Sequence, residues 1–214
     1  MPRINTEYRE DARKKIIAAA IVIASEKSWD AVTMDAIAKR VGVTKGALYA
    51  YFENSDALLR EVIQEVFRNI RAGIERTLSG SDDVPTMIQG LADLIFEQQK
   101  PYAAIFFQLP VRLIQDPLYR EDFSIIFDGN RILIRDYLVR MIAEGKLSKD
   151  VDPEAASATL IAMSMGLRIS ALFLGRDSNE AKMTWIYSVE RILEIRAGKM
   201  KGDCPQGEGN MISR

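Results

Sequence analysis

The chain has 214 residues, room for one large domain or two small ones, and its 48% hydrophobic and 28% charged residues are the balance of a soluble globular protein. A formal net charge of -1 excludes a polycation built to coat nucleic acid, so any DNA contact must come from a local patch. The absence of histidine and a single cysteine, Cys204, exclude His-based triads, most zinc sites and an internal disulfide framework, and point to a cytoplasmic protein with no metal and no cofactor.

The start, Met1 to Asn5, lacks the apolar stretch of a signal peptide, and no apolar run is expected to reach the ~18–20 residues of a membrane span. Residues 1–60 carry ten Lys/Arg against eight Asp/Glu, a net +2, while the remainder carries 19 against 22, a net -3. A slightly basic head on an acidic body is the expected layout.

Sparse proline at boundaries and no strand-like alternation predict an all-α chain. The first helix is expected from about Glu7 to Glu26, with Ile16, Ile17, Ala20, Ile23 and Ala24 inward and Arg9, Arg13, Lys14 and Lys15 on the other side. A turn at Ser28-Trp29-Asp30 follows. Thr33 is a natural cap for a second, short helix ending near Arg40, and Gly42 suits the left-handed turn after it. Thr44 then caps a third helix, Lys45 to Phe52, and Asn54-Ser55-Asp56 caps a fourth that carries Leu58, Leu59, Val62, Ile63 and Val66 toward Leu78. Two short helices about a glycine turn are the parts of a helix-turn-helix. Unpaired N–H groups at the start of the third helix, with the Thr44 hydroxyl and the Lys45 cation, suit a phosphate, and the small Gly46 and Ala47 permit close approach to a groove.

Further helices are expected near 84–99, 101–114, 117–144, 154–175 and 179–197. The helix after Pro153 is dense in small residues, and the last shows Met183, Trp185, Ile186, Val189, Ile192 and Leu193, too wide a face for one packing partner. The Gly- and Lys-containing segment 198–214 is expected to be a disordered tail.

The ungapped run Thr33 to Phe52, continued by Leu58-Leu59, resembles the DNA-binding signature of the TetR family of repressors over about residues 10–63. The resemblance implies a helix-turn-helix domain (1–53) followed by a larger helical domain (54–197) for effector binding and dimerisation. It implies that Thr33, Thr44, Tyr49 and Tyr51 hold phosphates and that Lys45, Gly46 and Ala47 face base edges. Ser55 stands where the family commonly has lysine, which removes one phosphate contact. With little base readout from Gly46 and Ala47, specificity would lean on DNA shape and on arms such as Arg3 and Arg9.

The implied partners are a double-stranded palindromic operator, a hydrophobic or amphipathic effector, and a second copy docked through helices 154–175 and 179–197. Phe96, Phe106, Phe107, Phe127, Met163 and Arg168 are the candidate pocket residues, Arg168 because a cation amid apolar neighbours would meet an anionic ligand. The implied function is a repressor released by its effector. The alternatives are a DNA-binding activator or architectural protein without effector control, and an enzyme. The last would need a nucleophile with a base, and no such pair is present: Glu121-Asp122 reads as solvated.

Overall fold

A computed structural model of the protein describes residues 2–27, 29–98 and 117–195. Among the described residues every element is helical and none is a strand. The order is α1 (Pro2–Glu26), a 3₁₀ turn (Trp29–Ala31), α2 (Met34–Val41), α3 (Lys45–Tyr49), α4 (Ser55–Ser79), α5 (Val84–Asp93), a π-helical turn (Leu94–Gln98), α6 (Pro117–Ala143), α7 (Pro153–Phe173) and α8 (Ser178–Ile192). The expected helix 101–114, Cys204 and the tail 198–214 lie outside the described residues.

Local chemistry accounts for most boundaries. Six of the described helices begin at a side-chain cap: Thr33, Thr44, Asn54, Asp83, Asp152 and Asp177 each accept a hydrogen bond from a backbone N–H two or three residues on. Gly42 ends α2 at φ 80°, a conformation that a side chain disfavours. Two expectations need correction. α1 begins at Pro2 rather than Glu7. α3 closes at Tyr49 rather than Phe52, because Tyr51 and Phe52 send their N–H groups back to the Leu48 carbonyl and turn the chain toward α4.

The core is one continuous cluster. It starts with Ile16, Ala20 and Ile37 in the N-terminal helices, runs along the inner face of α4, and ends at Trp185, Val189 and Leu193. α4 is the spine. Its buried residues recur from Leu58 to Leu78, and over its 25 residues it packs on α1 at one end and on α5 and α6 at the other. The π-helical turn after α5 comes close to α4 at Gly73, where a Cβ would lie 2.6 Å from Leu94 Cδ1.

α6 and α7 form a hairpin about Gly145 at φ 71°. Glu154 at the start of α7 accepts from Arg131 and, at 2.9 Å, from Arg135 of α6, and these arginines hold its carboxyl below the usual range. Tyr137 donates to the Asp83 carbonyl at 2.9 Å and fixes α6 to the cap of α5.

α7 corrects the expectation about apolar runs. It is 21 residues long with a mean hydropathy of 1.5 in its most apolar window, enough by length and composition to cross a membrane, and only 22% of that window is buried. α7 instead packs on α6 and α8.

Candidate functional site

Two places concentrate function-bearing groups: the α2–α3 corner and a cavity among α4 to α8. At the corner, Ile37, Ala38 and Leu48 are buried, with α3 packed on α2 and α2 on α1. The opposite face of α3 is open. Thr44, Lys45, Gly46 and Tyr49 are exposed, Tyr49 by 48%, and Ala47 is half-buried. A Cβ on Gly46 would meet nothing nearer than Thr44 Oγ1 at 4.0 Å. Packing within the protein therefore does not require glycine there, and the space lies on the outside.

The Thr33 and Thr44 hydroxyls accept from Ala36 N at 3.1 Å and Ala47 N at 3.2 Å. The Ala47 N–H, expected to be unpaired, is thus already capped. Each hydroxyl keeps its own proton to donate, so capping and anion binding are compatible at one side chain. Lys45 Nζ lies 2.8 Å from Asp35, which holds the ammonium above its usual range. Tyr51 is half-buried, and its carbonyl accepts from Arg13 at 3.0 Å.

The α1 arginines hold this corner. Arg9 donates to the Ala50 carbonyl at 3.2 Å. Arg13 pairs with Glu61 of α4 and lies 4.7 Å over the Phe52 ring. Arg13 was expected on the outer side of α1; it is instead a bracket joining α1, the end of α3 and α4. The signal in the sequence was Glu61, 48 residues on in α4, which helical periodicity does not connect to it. The Arg3 side chain lies outside what the structure describes.

The cavity has a volume of about 440 Å³, within the ~300–1,000 Å³ usual for small-molecule sites. Among the described residues its walls are mostly apolar. α4 contributes Phe67, Ile70 and Ile74, and α6 contributes Phe123, Phe127 and Asn130. α7 adds Ser164, Met165 and Arg168, and Phe96 and Trp185 close another side. The rings interlock: Phe67 meets Phe123 edge-on at 5.4 Å, and Phe96 and Trp185 lie 6.4 Å apart.

Of the expected pocket residues, Phe96, Phe127 and Arg168 line the cavity, while Phe106 and Phe107 lie outside the described residues. Met163 is a correction. The wall stripe of α7 is Leu160, Ile161, Ser164, Met165, Arg168 and Ile169, recurring at helical spacing. Met163 is out of phase with it and packs instead against the protein core.

Arg168 is half-buried, and the cost of desolvating its guanidinium lowers its pKa to about 10. Asn130 was missed. It is 92% buried, and its Oδ1 has no hydrogen-bond partner among the described residues. The signal was present: Asn130 interrupts the apolar run Phe123, Ile126, Phe127, Ile134 at helical spacing.

Residues 16–62 match the family model described as bacterial regulatory proteins, tetR family. A biofilm operon negative transcriptional regulator, IcaR of Staphylococcus epidermidis, is 29% identical over 97 residues, covering 45% of this chain and 52% of that protein. The chain thus spans about half the length of the curated relatives it matches. Among solved structures, a TetR transcription regulator from Haloarcula marismortui superposes with a TM-score of 0.75 at 18% identity, covering 86% of this chain and 97% of the other. A transcriptional regulator from Saccharomonospora viridis in complex with choline gives a TM-score of 0.72 at 17% identity, covering 85% and 96%. The N-terminal match makes residues 16–62 similar to the helix-turn-helix of the tetR family of bacterial regulatory proteins, and the structural likenesses carry the fold of the rest.

Proposed function

We propose that the protein is a cytoplasmic DNA-binding transcriptional repressor that acts as a homodimer and leaves a palindromic operator when a small molecule enters the cavity. One observation carries the DNA-binding reading: α3 keeps Leu48 buried against α2 while Thr44, Lys45, Gly46 and Tyr49 stay exposed on the far side. In this reading Thr33, Thr44, Tyr49 and Tyr51 hold phosphates, and Lys45, Gly46 and Ala47 face base edges. Residues 1–53 form the head and residues 54–197 the effector and dimerisation domain.

The dimer reading is supported by apolar side chains that one protomer leaves in water. Leu172 and Phe173 of α7, the following Leu174, and Met183 and Tyr187 of α8 are each more than half exposed. On α8 they flank a separate buried stripe of Ala181, Trp185 and Val189, so the helix has two apolar faces and its own chain covers one. The effector reading is supported by the largely apolar cavity and by the choline complex of a protein with the same fold. The relatives are named as regulators, and we read this chain as a regulator rather than an enzyme.

The test is fluorescence anisotropy of the full chain with labelled DNA from upstream of its own gene, at two salt concentrations, beside scrambled DNA of equal length. The expected result is saturable binding to the native fragment with one dimer per site, and weak, strongly salt-dependent binding to the scrambled one. Failure to bind DNA at low salt would overturn the repressor reading.

A further inference from the structure

Asn130 brings an unmet hydrogen-bond acceptor to the cavity wall. It shares a face of α6 with Phe123, Phe127 and Ile134, which all line the cavity. It is 92% buried, and its Oδ1 accepts no hydrogen bond among the described residues. Glu154, at the start of α7, accepts from Arg131 and Arg135 of α6, which places the neighbouring Asn130 at the end of the cavity nearest the start of α7. Ser164 stands further along the α7 wall, and Arg168 further still. Arg168 already has an interaction partner within the protein.

The neutral donors of the wall are mostly in use. The Ser164 hydroxyl donates to the Ile161 carbonyl at 2.7 Å, the Ser178 hydroxyl to the Phe96 carbonyl at 3.2 Å, and the Trp185 indole N–H to the Leu160 carbonyl at 3.2 Å. Toward a ligand, the Ser164 oxygen therefore offers lone pairs, as Asn130 Oδ1 does. The Asn130 oxygen is the costlier of the two to leave alone, because it is buried and unmet. A ligand must bring the proton. It cannot bring it as a cation without penalty: among the described residues lining the cavity there are two arginines, Arg168 and Arg176, and no carboxylate. A carboxylate is no better at this end, since it sets oxygen lone pairs against the Asn130 oxygen. What remains is a neutral hydroxyl. The wall beside Asn130 is aromatic, with Phe123 and Phe127 stacked at 5.8 Å and Phe67 edge-on to Phe123, and it offers faces and edges for a ring.

We propose that the cavity selects an uncharged phenol whose hydroxyl donates to Asn130 Oδ1 and whose ring and alkyl substituents lie along the Phe123–Phe127 wall. A phenol suits this wall better than an aliphatic alcohol. Its proton is the more acidic, its oxygen is the weaker acceptor, and its ring packs on the phenylalanines. This deepens the effector reading and rests on it for any consequence at DNA. Asn130 is then the specificity-determining residue of the cavity, because a site holding a buried acceptor rejects analogues that leave it unpaired.

The probes are para-hexylphenol, para-hexylanisole, para-hexylbenzoate and para-hexylbenzylammonium, titrated calorimetrically into the full chain without DNA at neutral pH, where the phenol is uncharged. The phenol should bind about tenfold tighter than its methyl ether, which keeps the oxygen and the apolar body but has no proton to give. It should also bind tighter than either ion. Asn130→Leu should bring phenol and ether within about twofold of each other without weakening the ether. The comparison of phenol with ether on the unaltered chain needs no variant, so it stands even if the substitution harms folding. The proposal is overturned if the ether or either ion binds as tightly as the phenol, which is also the result if a water already answers Asn130. It is overturned equally if Asn130→Leu leaves the phenol preference intact, or if no probe binds. DNA anisotropy in the absence of any probe tests the repressor reading separately. Phenol binding with unchanged DNA affinity would sink effector control and leave the assignment of the cavity standing.

Discussion

Asn130→Leu should make the ligand-free protein more stable. Asn130 is 92% buried on α6, and its Oδ1 finds no donor among the described residues. Leaving a buried acceptor unmet costs about 1–3 kcal/mol, whereas an apolar group of similar shape costs little. Leucine is close to isosteric with asparagine, and it would extend the apolar stripe of Phe127 and Ile134 on the same face. Set against this is the bonding of the amide nitrogen, worth about 0.5–1.5 kcal/mol if it is fully lost. The net expectation is a gain of about 1 kcal/mol, which in a chain of this size raises Tm by about 2–4 °C. Urea denaturation and thermal scans at equal protomer concentration read it, since any self-association would make both concentration-dependent. A loss of 1 kcal/mol or more, with the helical spectrum intact, would show that the oxygen is already satisfied and that the polar end of the cavity has been misread. The gain would also have a meaning for function: a buried polar group that costs stability persists where it is used for something else.

Three further outcomes are expected. Tyr137 is 4% exposed, and burial pushes its hydroxyl from 10.0 up to about 12. Because the folded pKa is raised, its contribution is intact below pH 10 and is lost as pH rises toward 12, a loss of about 3 kcal/mol; Tyr137→Phe should flatten that alkaline fall in urea titrations, and an unchanged slope would refute the assignment. Gly166 lies exposed on α7 with nothing within 4 Å of an added Cβ. Gly166→Ala should therefore stabilise the helix by about 0.5–1 kcal/mol, while Gly166→Leu should weaken the dimer in sedimentation experiments if α7 meets a second copy closely; a leucine variant that dimerises normally would move the interface elsewhere. Tyr49→Phe should weaken DNA binding by about three- to tenfold on operator and scrambled DNA alike, with the salt slope unchanged, because a neutral hydroxyl on phosphate releases no counterion. A loss confined to the operator would assign Tyr49 to base readout instead.

The parts of the fold legible in the sequence are those decided by neighbours in the chain. Thr33, Thr44 and Asn54 cap helices because an oxygen two or three residues ahead of a free N–H is a local event. The inward faces of α1 and α4 follow from helical spacing alone, and the head could be placed without knowing the body. The cavity is different. Phe67, Phe123 and Trp185 line one cavity from three helices far apart in sequence, and periodicity says that each faces inward without saying where a gap remains between them. Met163 and Met165 differ by two positions in a helix rich in small residues, too little contrast to set the phase. Arg13 looked like a solvated face because its partner, Glu61, sits 48 residues away.

The same helix that confuses a division into head and body is the one able to connect them. Expected boundaries at residues 53 and 54 separate two domains, yet the core runs unbroken across that point through α4. Its N-terminal part packs Leu58, Leu59 and Val62 into the cluster shared with α1, and Glu61 is bracketed by Arg13. Its C-terminal part puts Phe67, Ile70 and Ile74 into the cavity wall. Close-packed interiors transmit displacement because they have few voids to absorb it, and Gly73 leaves α4 little clearance from Leu94. A ligand that pushes Phe67 or Ile74 therefore has two outlets. It can repack the cavity, or it can tilt α4 about the Gly73 contact and carry Arg13, α1 and α3 along. Gly73→Ala adds a methyl where 2.6 Å is available and so blocks the second outlet more than the first. In that variant a ligand should still bind while its effect on DNA affinity shrinks. Parallel loss of both would mean that the substitution acts on the cavity rather than on the coupling.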